Sequence, residues 1–71
     1  MVPMNTNYRT IQSAPTARGY SIAIIYYPAA LMYAVVRVAP SGGFITIDQY
    51  PLESAARNRA NLEWRADRAA A

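Results

Sequence analysis

The chain has 71 residues, room for one domain at most, and although hydrophobic residues make up 54% of it, fourteen of them are Ala, so its core must be small. It has no Cys, His or Lys, which excludes disulfides, thiolate and imidazole metal ligands, the commonest general bases and Schiff-base formers. Seven Arg against Asp48, Glu53, Glu63 and Asp67 give a net charge of +3, and those carboxylates make no metal-loop spacing, so a non-enzymatic protein without metal or cofactor is expected.

Residues 1–18 read as a flexible N-terminal arm. Asn5, Thr6, Asn7, Ser13, Pro15 and Thr16 dominate it, and apolar side chains occur singly. Tyr8 to Gln12 alternates in a way that fits an edge strand, which Pro15 would end. The order of a secretory signal is missing from the arm, and residues 19–71 are expected to form a single small domain.

Gly19 to Pro40 carries most of the large apolar side chains and one charge, Arg37. Tyr20 to Tyr27 and Leu31 to Val38 are both rich in β-branched and aromatic residues, and they flank Pro28, Ala29 and Ala30. A hairpin is expected. Pro-Ala-Ala holds no residue that readily takes positive φ, so the loop must be wider than a tight primed turn, or bulged. A short helix starting at Pro28 is the competing local reading, opposed by Val35, Val36 and Val38. Tyr20 to Val36 is also uncharged over 17 residues, the short limit of a membrane span, but Pro28, Ser21 and four interspersed Tyr argue against one.

Ala39 to Gly43, APSGG, is a turn by composition. Phe44 to Asp48 alternates, with Ile45 and Ile47 on one face and Phe44, Thr46 and Asp48 on the other, as expected of a third antiparallel strand. Met32, Ala34, Val36 and Val38 share one face of the strand before it, and Leu31, Tyr33, Val35 and Arg37 share the opposite one. Both faces of the hairpin are therefore apolar, and the second face needs a cover, expected to be a second protomer or a partner protein.

Gln49 to Ala71 reads as a helix: Pro51 suits its start, Glu53 meets the positive end of its dipole, and no Gly or Pro follows. Spacing at 100° per residue puts Leu52, Ala55, Ala56, Leu62, Ala66 and Ala70 on the side expected to pack. The fold class is thus α+β: a small antiparallel sheet of three strands, or four with the edge strand, and one C-terminal helix packed on it.

Two groups of side chains are candidates for partner binding. Arg57, Asn61, Trp64, Arg65 and Arg68 lie along the outer side of the helix and combine planar donors with a stacking ring. The plain alternative is a solvated face with Trp64 folded back over the sheet edge. Tyr20, Tyr26 and Tyr33, with Arg37, project from the sheet, where Tyr serves as an interface anchor or as core filling.

These features favour a small protein-binding module that inhibits or regulates a macromolecular partner by occluding its surface, acting as a homodimer in the cytoplasm, or in a host's cytoplasm if viral. In being short, Cys-free and free of known motifs, the chain resembles small phage-encoded inhibitors, anti-CRISPR proteins among them, in character alone. A basic dimeric nucleic-acid-binding regulator using Arg57, Arg65, Arg68, Arg9 and Arg18 is the main alternative, and a small membrane protein the third.

Overall fold

A computed structural model describes residues 7–70, with side chains through residue 68. The elements are β1 (Arg9–Pro15), β2 (Ser21–Tyr27), β3 (Met32–Val38), β4 (Phe44–Tyr50) and α1 (Glu53–Ala70). The four strands form one antiparallel meander in the order β1-β2-β3-β4, and α1 lies across one face. The fold is α+β with a four-stranded sheet, because the edge strand expected near Tyr8 to Gln12 forms over Arg9–Pro15. The portion of the expected arm that covers residues 1–6 lies outside the described residues.

Each of the three hairpin connections uses a left-handed residue. Gly19, at φ 88°, completes the β1–β2 turn, in which the Thr16 N–H and hydroxyl both donate to the Tyr20 carbonyl at 2.8 and 2.7 Å. In the β3–β4 turn Gly42 N–H donates to Ala39 O at 2.9 Å, and Gly42 takes φ 102°, a three-residue loop in which only glycine is unstrained at the third position. The β2–β3 loop is wide, as the missing turn residue requires. Ala30 and Leu31 donate to Tyr27 and Pro28 carbonyls at 3.2 and 3.3 Å, two overlapping turns, and Leu31 then takes φ 53°. Pro28 therefore opens a turn of the hairpin and not the short helix of the competing reading.

Pairing fixes which side chains share a face. Ile22, Ile24 and Val35 are buried under Ala56 and Ala60 of α1, with Ile11, Ile47, Tyr33, Tyr50 and Trp64 packed around them. Both edge strands reach this layer by a bulge. The register slips between Thr10 and Gln12 in β1, and opposite Val35 and Val36 in β4, leaving Ile11 and Ile47 as extra residues turned to the helix side. The slip also corrects the alternation expected for β4: Asp48 opposes Val35 and so faces the helix with Ile47, instead of sharing a face with Thr46.

On the opposite face Ala23, Ile25, Ala34 and Val36 are each no more than 3% exposed in the single chain, with Tyr27 and Val38 packed against them. The Tyr8 ring meets Tyr27 at 5.8 Å and Phe44, from the far edge of the sheet, at 5.7 Å. Twist explains how they meet. A right-handed twisted sheet raises two diagonal corners toward one face and the other two toward the opposite face. Tyr8 and Phe44 occupy one diagonal; α1 leaves the end of β4 and reaches the β1–β2 turn along the other, on the other side. The centre of the second face is thus covered within the chain, so the premise for a covering protomer there does not hold.

The packed side of α1 also differs from the expected one. Ala56, Ala60 and Asp67 are buried and Trp64 packs on the core, whereas Leu52 and Leu62 are 64% and 58% exposed. The Ala56, Ala60, Trp64 row, one residue every four, lets the backbone come close at its first two turns and closes the wider end with the indole. The helix begins at Glu53, with Pro51 just outside it and the Leu52 carbonyl accepting from Ala56 N–H at 3.3 Å.

Candidate functional site

The nine candidate residues fall into three places. Asn61, Trp64, Arg65 and Arg68 come together along one wall of a cleft of about 440 Å³, whose other wall is Gln12, Ala14 and Pro15 of β1. The helix positions them because its packed row runs through Ala56, Ala60 and Trp64, which turns residues 61, 65 and 68 toward the β1 edge. Trp64 packs on the core, as in the folded-back reading, and also lines the cleft. Its Nε1 is buried without a hydrogen-bond partner among the described residues.

Arg57 stands at the entry to this cleft and is committed. Its Nε donates to Glu53 Oε2 at 2.7 Å, and its Nη1 donates to Gln12 Oε1 at 2.9 Å, tying α1 to β1. Arg59 makes the matching link on the opposite side, 3.2 Å from Glu63 and 3.8 Å from Asp48 on β4. The polar residues exposed by the two bulges, Gln12 and Asp48, are thus each met by an Arg of the helix.

Tyr26 and Tyr33 stack on each other at 4.6 Å where α1 leaves the sheet, with Arg9 over the Tyr26 ring at 5.4 Å. Tyr20 and Arg37 sit at the opposite end, the guanidinium 4.8 Å above the ring, in a second groove. The sheet tyrosines and the helix stripe do not form one site.

Charge divides in the same way. All four carboxylates are paired: Glu53 with Arg57, Asp48 and Glu63 with Arg59, and Asp67 with Arg18. Arg65 and Arg68 have no ion pair among the described residues, nor do Arg9 and Arg37, which lie on Tyr rings. The net positive charge is therefore concentrated in the cleft and on two Tyr rings.

Asp67 is the residue that sequence reading missed. It is 7% exposed, its Oδ2 accepts from Ala17 N–H at 2.9 Å, and its Oδ1 lies 3.6 Å from Arg18 Nε. The bond docks the last turns of α1 on the β1–β2 turn and so closes the top of the cleft. No local signal marks it, since an Asp among Arg and Ala on a helix looks solvated until the turn is placed against it. Asp48 carries the clearest electrostatic effect. The Gln49 N–H at 2.9 Å holds its carboxyl below the ordinary value, the Tyr50 hydroxyl at 3.0 Å adds to this, burial opposes it slightly, and Arg59 contributes least.

Among the described residues no three His, Cys, Asp or Glu side chains are grouped to hold a metal ion, and no helix is long and apolar enough to cross a membrane. The uncharged run from Tyr20 to Val36 is folded as β2, its loop and most of β3. Comparison with known proteins finds no matching family model, curated protein or solved structure.

Proposed function

We propose that this chain is a small non-enzymatic protein-binding module that regulates a macromolecular partner by occluding its surface, through the cleft between β1 and α1. The observation that carries this reading is the convergence of Asn61, Trp64, Arg65 and Arg68 on one cleft whose two terminal arginines are unpaired among the described residues. Arg with an adjacent indole is the composition of binding hot spots, and an acidic protein surface is its complement. β1 is an edge strand there, so main-chain groups are available beside the side chains. The cytoplasm, or that of a host if the protein is viral, is the compartment this reading implies.

Charge reversal tests it. Arg65→Glu with Arg68→Glu is expected to abolish capture of a stoichiometric protein partner from lysate while leaving the circular dichroism spectrum unchanged. A capture that survives both reversals removes the cleft from the mechanism. The same two arginines and the Trp64 face also favour the second reading, a nucleic-acid-binding regulator. That reading requires DNA or RNA affinity that falls steeply with salt, with a slope that drops when Arg65 and Arg68 are reversed. A homodimer would have to use apolar residues outside the covered face, among them the exposed Leu31, Ile45, Leu52 and Leu62. Light scattering at the mass of one chain removes it.

A further inference from the structure

The diagonal course of α1 leaves one corner of its own sheet face bare. There the β3–β4 turn and the ends of β2 and β4 enclose an open groove of about 720 Å³, with Tyr20, Ala39, Pro40 and Ile45 in its apolar lining and two cations, Arg37 and Arg18, the latter already 3.6 Å from Asp67. Its volume falls in the range of small-molecule sites, roughly 300–1,000 Å³. Ile45 is 68% exposed, an apolar side chain that α1 leaves uncovered.

We propose that this groove binds a long-chain carboxylate, with the alkyl chain along Ile45 and Pro40 and the head group on Arg37. Charge complementarity selects the occupant. Arg37 has no carboxylate partner among the described residues, and no acidic residue lines the groove. Tyr20 braces the guanidinium from one side at 4.8 Å, which limits its rotamers and leaves its in-plane donors for a bidentate oxygen pair. A second copy of the chain is a poor occupant, because its four acidic side chains are already paired with its own arginines. An amphiphile that brings apolar length and one carboxylate supplies both missing complements. The proposal is independent of the cleft between β1 and α1.

Titration with dodecanoate below its micellar concentration, followed by NMR of the whole chain, tests it. One molecule is expected to bind per chain, with shifts confined to the groove, and dodecyltrimethylammonium, of equal length and opposite charge, is expected to bind at least tenfold more weakly. Arg37→Gln should weaken dodecanoate at least tenfold, Arg37→Lys less, and Ile45→Asp, which places a like charge on the floor, should abolish binding. Both positions carry solvent-exposed side chains, and an unchanged amide spectrum away from the groove verifies the fold. Equal binding of the cationic amphiphile, shifts spread over other surfaces, or an unaltered affinity in Arg37→Gln would overturn the proposal. So would a dimer that buries this groove and does not dissociate on adding dodecanoate.

Discussion

At the scale of single residues, two carboxylates hold the fold in different ways. Asp67 is buried and accepts a backbone hydrogen bond 50 residues away in sequence, so Asp67→Ala leaves the Ala17 N–H without its partner. A loss of about 1–3 kcal/mol is expected in urea unfolding, with Asp67→Asn, which keeps an acceptor, losing less. Asp48 is exposed, and its effect is one of charge. Its folded pKa is depressed, so its contribution is fully present above the unfolded value, about 4, and disappears as pH falls through the folded value. The melting temperatures of the wild type and Asp48→Asn should therefore differ near pH 6 and converge toward pH 2. A constant gap would mean that the carboxylate charge is not what Gln49 and Tyr50 stabilise. Neither role was legible in advance: Asp48 changes face through a bulge, and Asp67 is buried by a turn distant in sequence.

At the scale of elements, the two bulges and the Ala-rich side of the helix act together. A regular edge strand would present alternate residues only, whereas each bulge turns two neighbours, Ile11 with Gln12 and Ile47 with Asp48, toward α1. The Ile enters the core and the polar neighbour meets Arg57 or Arg59, so the helix is gripped on both flanks. Close approach needs small residues beneath it. Ala60 has no exposed surface, and Ala60→Leu is expected to destabilise the domain by about 1–3 kcal/mol through overpacking, measured by thermal unfolding. The helix itself was legible from Pro51, Glu53 and the absence of later breakers. Its orientation was not, because Leu52 and Leu62 drew the apolar side away from Trp64, and only the sheet's shape shows which of these has a surface to meet.

At the scale of the whole molecule, sheet twist decides what is covered and what is free. One diagonal carries α1, the other brings Tyr8 over to Phe44, and the bare corner that remains is the groove beside Arg37. Tyr8→Ala removes two ring contacts worth about 0.5–1.5 kcal/mol each, and is expected to lower stability and to raise binding of a hydrophobic dye at the Ile25 and Val36 face. If dye binding stays unchanged, the rings do not guard that face. The sequence by itself determined the strands, their antiparallel order, the terminal helix and the apolar character of both hairpin faces, because period-two alternation, β-branched runs and turn residues act locally. It also set which chemistries lack residues to perform them. The tertiary structure alone decided the bulges, the burial of Asp67, the covering of the second face and the gathering of Asn61, Trp64, Arg65 and Arg68 against β1. Those depend on how a twisted sheet brings distant edges together, which no local pattern encodes.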